Sequence, residues 1–411
     1  MDSADIVVCV VSLLFMYFVI TATFIPNLAK AAIVICEMVI VSKFYAKRHF
    51  MQTELGMLLV RSRYFVTFID TVGRKYASYF RLWADVMLFV SFGAIMLFLM
   101  KWRPFTHRLG LYLFSMAFLF ALMAVYPLGI SYALTAMGNV SALEQGSSSA
   151  STISASVLLS ASLLLLGFGG STIMSLYIAA ANVLYSIYAM LFLHQAVALK
   201  AGATLVLPGI NLPFFEGIIA VASLLIVHEL SHGFLSRAER VSINSTGIVL
   251  FGSLPVGAFV EPSDRELERS SPMVRSRILV AGSAANITFG FLFGLLYIAF
   301  FYFAIHSYAY TCNVPTVLDN GNIVLKESTT GCASSILPLV VFKDSLIKFI
   351  INVLGLTCGL NFAIGMINLL PVPLFDGYHI MRSFLKDKRI AEWVSYSALI
   401  CFILLIVPGL F

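Results

Sequence analysis

Residues 214–235 read FFEGIIAVASLLIVHELSHGFL, an apolar run with one glutamate near its start and a His-Glu-Leu-Ser-His cluster near its end. A stretch of about 20 such residues is long enough for a helix to cross the hydrocarbon core of a bilayer. In lipid only helices and closed barrels satisfy the backbone, and this run is continuously apolar rather than alternating. It therefore reads as a membrane-spanning helix. Comparable runs recur at roughly 6–25, 84–100, 109–134, 153–198 (one span or two), 278–305, 346–370 and 393–411. The expectation is an all-α polytopic membrane protein, a bundle of about eight or nine transmembrane helices.

Composition agrees. The 411 residues are 60% hydrophobic and only 11% charged, with a mean hydropathy of +0.96. Soluble domains carry about 25% charged residues, so too little polar surface exists here to cover a water-soluble globule. The net charge of +6 is explained by basic residues retained on the cytoplasmic side of a membrane, and no nucleic-acid partner is expected. The six cysteines show no CxxC spacing. Cys9, Cys36, Cys358 and Cys401 lie in apolar runs, whereas Cys312 and Cys332 share one polar loop and could pair if it faces an oxidising compartment. Asp2 and Asp5 stand where a cleavable signal would be basic, so none is read there.

Charge also orders the chain. Residues 237–277 are arginine-rich and residues 386–389 read KDKR, which places both in the cytoplasm and loop 306–345 outside. That loop contains Asp319-Asn320-Gly321 between apolar stretches, a hairpin signal, and is too short for a domain with its own core. Residues 43–81 carry eight basic residues among aromatics and read as an amphipathic segment on anionic lipid or a solvated connector. Residues 135–155 read as a Ser- and Ala-rich connector. Lys101, Arg103 and Arg108 conflict with the basic 43–81 segment if one span separates them, so the topology of residues 1–200 stays open. The division expected is an N-terminal membrane region (1–200), a core (201–390) and a last helix (391–411).

His228-Glu229-Leu230-Ser231-His232 is the pattern that carries chemistry. On a helix, positions i and i+4 face the same way, so both imidazoles can bind one zinc ion, with Glu229 beside it to take a proton from a water. Two histidines and a glutamate at membrane depth are costly unless paired or coordinated; the alternative is helix-packing histidines at the span's end. A catalytic zinc needs a third protein ligand. Asp376 is one candidate, in Asn368-Leu369-Leu370-Pro371-Val372-Pro373-Leu374-Phe375-Asp376-Gly377, where Pro371 and Pro373 break a helix and free backbone groups to line a cavity. Taken alone, Asp376 reads as a helix cap. Glu261, Glu266 and Glu268 are further candidates, in a charged stretch that reads as surface.

HExxH inside one span, followed after further spans by NxxP…DG, resembles the site-2 protease family of intramembrane zinc metalloproteases, most closely its archaeal members, over about residues 205–385. The resemblance implies that His228, His232 and Asp376 bind Zn2+ and that Glu229 is the catalytic base. It implies too that Asn368 assists catalysis by holding substrate or stabilising the tetrahedral intermediate. Residues 247–261 (GIVLFGSLPVGAFVE) are similar to the family's β-like membrane-associated loop after the zinc helix, able to offer an edge strand to an unwound substrate. No PDZ-sized insertion separates the metal motifs, only the Cys-flanked loop.

The function so implied is hydrolysis of peptide bonds within or near transmembrane helices of membrane-anchored proteins, by a multi-pass protein of the cell membrane. Its partners are transmembrane-helix substrates and the lipid bilayer; the oligomeric state is left open. The rivals are another membrane zincin using a downstream glutamate, a metal transporter, and an inactive helix-binding relative. His379 could support the metal site from outside or be a helix-end histidine. His194 and His306 read as interfacial, and Asn286 reads as part of a small-residue packing stripe.

Overall fold

The computed structural model describes residues 3–22, 24–49, 53–54, 57–62, 64–136, 151–194, 208–209, 212–317, 323–328, 340–385 and 387–406. Seven helices among them are long and apolar enough to cross a membrane, at Ala77–Leu99, Phe105–Ala133, Leu165–Phe192, Phe214–Ala238, Pro272–Ser307, Ser345–Ile367 and Lys388–Ile406, and Asp5–Thr21 is a shorter apolar helix. The polytopic all-α reading holds. The chain forms two compact units, Met1–Arg81 with Leu207–Ser270, and Leu82–Val206 with Ser271–Phe411.

The first unit draws on chain from both sides of residue 200. Helices α1 (Ser3–Thr21) and α2 (Asn27–His49) share a core of Met16, Val19, Val34 and Met38. Strands β1 (Thr53–Glu54) and β2 (Met57–Ser62) lead to α3 (Tyr64–Lys75), and α4 (Ala77–Phe92) starts here and runs on into the second unit. The zinc-motif helix α8 (Phe214–Ala238) is followed by β3 (Ile243–Phe251), β4 (Leu254–Pro262) and the short helix α9 (Asp264–Arg269). Four strands make one antiparallel sheet in the order β1-β2-β3-β4. The β-like loop expected after α8 is thus the β3–β4 hairpin, and β2 extends it, with Leu58 opposite Leu250 and Ser62 opposite Thr246. Residues 43–81 are therefore more than a plain connector. They finish α2, supply two strands, and form α3, whose Ile69 is buried against Gly233 of α8.

In the second unit, α4 passes through a 3-10 turn (Gly93–Ile95) into α5 (Met96–Leu99); then come α6 (Phe105–Ala136) and α7 (Ser151–Phe192). Within the 153–198 region the described residues form two helical pieces of Ser151–Phe192 that meet at a break at Gly167, whose φ of 68° most side chains avoid. The second piece, Leu165–Phe192, is the one of spanning length. Helix α10 (Pro272–Ser307) opens with a Ser271 cap and proline in its first turn. Helix α11 (Ser345–Ile367) opens on Asp344, which accepts from the amides of Leu346 and Ile347 at 2.9 and 3.0 Å. Small residues let these helices approach: Asn286 lies against Gly365, and a Cβ on Gly359 would stand 2.2 Å from the Gly129 carbonyl oxygen of α6. Helices α12 (Asp376–Phe384) and α13 (Lys388–Ile406) close the chain.

Loop 306–345 forms more than a hairpin. Strands β5 (Tyr310–Val317), β6 (Ile323–Ser328) and β7 (Val340–Phe342) make a three-stranded antiparallel sheet in the order β6-β5-β7. Val317 pairs with Ile323 as the Asp319-Asn320-Gly321 signal requires, although the turn itself and Cys332 lie outside the described residues. Cys312 is buried and disulfide-bonded.

An ion cluster inside this unit was not legible in sequence. Asp85 of α4 is fully buried and accepts from Arg277 Nε and Nη2, both at 2.7 Å, and from Arg103 Nε and Nη2 at 3.1 and 2.8 Å. Arg108 donates to the Leu97 carbonyl. Arg103 and Arg108 are thus committed within the protein, which weakens the topological conflict their charge posed.

Candidate metal centre

Helix α8 has its two imidazoles on one face. His228 Nε2 and His232 Nε2 lie 3.2 Å apart, with ring centroids 4.8 Å apart, and His228 is buried. Two nitrogens each about 2.05 Å from a tetrahedral zinc would be separated by about 3.3 Å, so the pair fits that ion. Glu229 between them is held by the sheet. Its Oε2 accepts the Val260 amide hydrogen from β4 at 3.0 Å, which leaves Oε1 to take a proton. Gly233 lets α3 and β4 close on the helix, since a Cβ there would meet Ile69 at 3.0 Å and Val260 at 3.3 Å.

The end of α8 is locked by its own backbone. Val241 N–H donates to the Ser236 carbonyl at 2.8 Å and Arg240 N–H to the Arg237 carbonyl at 3.2 Å, the paired bonds of a Schellman ending. Arg240 stands where glycine is usual and has φ of 67°. Arg81 adds a guanidinium to the Ala238 carbonyl, where the helix dipole favours a cation.

The second motif lies in the other unit. Asn368 ends α11, Leu369 and Leu370 turn back onto that helix, and Gly377 N–H donates to the Asn368 carbonyl at 2.8 Å. The proline-bearing break is therefore a closed loop, with Leu369, Leu370 and Val372 buried. Asp376 is the first residue of α12 and Phe375 occupies the cap position, so the helix-cap reading of Asp376 does not hold. The adjoining glycine is required: a Cβ on Gly377 would sit 2.1 Å from the Leu369 carbonyl oxygen and 2.5 Å from that of Leu370. We expect Gly377→Ala to cost about 1–3 kcal/mol or more, whereas Gly110→Ala in α6, with nothing near it, stabilises by about 0.5–1 kcal/mol. Thermal melts of the two variants check this, and equal effects would remove the steric argument.

The competing glutamates are engaged elsewhere. Ser245 Oγ donates to Glu261 at 2.5 Å; Ser242 donates to Glu266 from Oγ at 2.6 Å and from its amide at 2.7 Å. The Ser242 hydroxyl, and next its amide, hold the Glu266 carboxyl below its ordinary value of 4.5. Because the folded value is depressed, this contact stabilises the β3–α9 corner above about pH 4.5 and its contribution is lost as pH falls through the folded value. Protection of the α9 amides, measured relative to their intrinsic exchange rate at each pH, should therefore fall on acidification in wild type, and Ser242→Ala should flatten that dependence. His379, exposed on α12, stacks edge-on against Tyr378, and His306 Nδ1 lies 2.7 Å from the Tyr302 carbonyl at the end of α10.

A span-length helix bearing two converging imidazoles and a sheet-held glutamate has the donor arrangement of the zincin class of metallopeptidases. Residues 216–407, a little under half of the chain, match the model of peptidase family M50. An uncharacterized protein of Methanocaldococcus jannaschii is 27% identical to it, over 43% of this chain and 60% of the relative. The chain thus spans about three fifths of the length of that curated relative. No solved structure matches it.

Proposed function

We propose that this integral membrane protein is an intramembrane zinc metalloprotease that cuts peptide bonds within or near transmembrane helices of membrane-anchored proteins. The observation that carries the proposal is the pairing of His228 and His232 at zinc spacing beside a glutamate held at Oε2, on an apolar helix of the family-matched segment. By resemblance to the family, Asp376 is the third ligand and Asn368 attends the scissile peptide. The engagement of Glu261 and Glu266 by serines supports Asp376 over a downstream glutamate.

A zinc ion bound by these residues supplies a water acidified to a pKa near 7 and a Lewis acid for the scissile carbonyl. Glu229 Oε1 takes the proton of the attacking water and returns it to the leaving amine. The Val260 amide keeps the carboxylate from rotating away during both transfers. A helical substrate hides its carbonyls in internal hydrogen bonds and has to unwind before attack. Strand β4 lies at an edge of its sheet and next to Glu229, so a substrate pairing with it would be extended at the place where the base stands. We further propose that residues 237–277 face the cytoplasm and loop 306–345 the opposite side, from the distribution of arginine and lysine.

Cleavage of a panel of single-span substrates by purified protein in detergent tests the proposal. Cuts inside the spans by wild type, absent from Glu229→Gln, are expected. Zinc-loaded wild type that leaves a broad panel intact would overturn it, and metal uptake into proteoliposomes surviving Glu229→Gln would favour transport.

A further inference from the structure

Arginine crowds the end of α8. Arg74 from the end of α3, Arg81 from the start of α4, and Arg237 and Arg240 line a cavity of about 440 Å³ with Ala77 and Ala238. Gathered like charges repel unless they are answered. Asp70 answers Arg74, at 3.0 Å, and Arg237; Glu239 answers Arg81 at 3.3 Å. Glu266 also feels Arg237, but both of its oxygens are taken by Ser242. The Arg240 guanidinium has no hydrogen bond or ion pair among the described residues. The cavity therefore holds surplus positive charge.

Two further features point to what would balance it. Arg240 occupies the left-handed position of the Schellman ending, where glycine would relieve the backbone, so a guanidinium stands at the cavity despite local strain. The level in the membrane is also telling. Helix α8 is span-length, so its end reaches the headgroup layer, and the neighbouring Phe68, Tyr76 and Tyr79 are exposed as aromatics at a membrane interface are. Lys75 lies beside them, over the Tyr76 ring. A phosphate at this depth belongs to lipid, and arginine forks suit its oxygens.

We propose that this cavity binds the phosphate of an anionic phospholipid and braces the end of the zinc-motif helix against the headgroup layer. The inference does not depend on protease activity. Full-length protein in neutral detergent, at fixed ionic strength, is melted with dioctanoyl phosphatidylglycerol, dioctanoyl phosphatidylcholine or sodium phosphate. Phosphatidylglycerol should give a saturable rise of several degrees in Tm, and the other two little or none. Arg240→Gly should raise the Tm of the lipid-free protein by relieving strain yet shrink the phosphatidylglycerol shift. Adding Arg74→Gln should abolish the shift, while Arg265→Gln should leave it intact. An undiminished shift in the double variant, or none in wild type, overturns the proposal. A full shift with sodium phosphate alone overturns the lipid as its source and leaves a site for free anions.

Discussion

Glu229→Gln should keep its zinc and lose cleavage by about a hundredfold to ten-thousandfold, the usual worth of a positioned base. The substitution is nearly isosteric, and the structure explains why it isolates the chemistry. A glutamine oxygen can still accept the Val260 amide hydrogen, so the side chain stays docked on β4. Its other arm becomes an amide that cannot take a proton. His228→Ala, by contrast, should lose metal and cleavage together, because it removes one of two nitrogens spaced for a single ion. Zinc content by elemental analysis and initial rates on one cleavable substrate separate these outcomes. Residual activity above about a tenth of wild type in Glu229→Gln would assign the base elsewhere. Loss of zinc from that variant would instead make Glu229 part of the metal's support.

Asp85→Ala should destabilise the protein by about 3–5 kcal/mol. The carboxylate is fully buried between two arginines, one of them, Arg277, nearly as buried. Removing it takes away the carboxylate shared by two guanidiniums, one on α10 and one in the connection after α5. The effect should show as a lowered melting temperature and as loss of protein during purification. A companion variant guards against trivial misfolding: Asp85→Leu with Arg103→Met and Arg277→Met removes all three charges and should recover much of the stability, since an apolar set often replaces a buried ion cluster without loss. If Asp85→Ala melts with wild type, the cluster is only decorative.

Some of this was open to reading from the chain and some was not. Hydropathy located the spans because lipid imposes a length and an absence of charge that no other environment requires. HExxH was legible because helical periodicity alone brings His228 and His232 to one face. The break at Pro371 and Pro373 was legible as a break, but its closure through Gly377 and Asn368 was not, because a backbone hydrogen bond leaves no mark on residue type. Strand β2 was hidden for a different reason. Met57-Leu58-Leu59-Val60 is too short to separate strand from helix, and its partner β3 is remote in sequence. Asp85, Arg103 and Arg277 each look like ordinary charges at span ends; only the fold reveals that they answer one another. Arg240 at the end of α8 gave no signal at all, since nothing in the composition announces a left-handed arginine.

The pairing of β2 with β3 has a consequence for how the protein is made. Ser62 leaves the ribosome about 180 residues before Thr246, its partner in the sheet, a wait of roughly ten to forty seconds at common rates of synthesis. During that interval β2 has no β3 to pair with, while helices downstream are already being threaded into lipid. Chain release or stalling before β3 emerges would strand an apolar edge, the kind of surface that quality-control proteases and chaperones capture. Nascent-chain arrest between residues 62 and 243 should therefore yield protease-sensitive fragments, and arrest beyond residue 262 should give the first fragments in which residues 53–62 resist digestion.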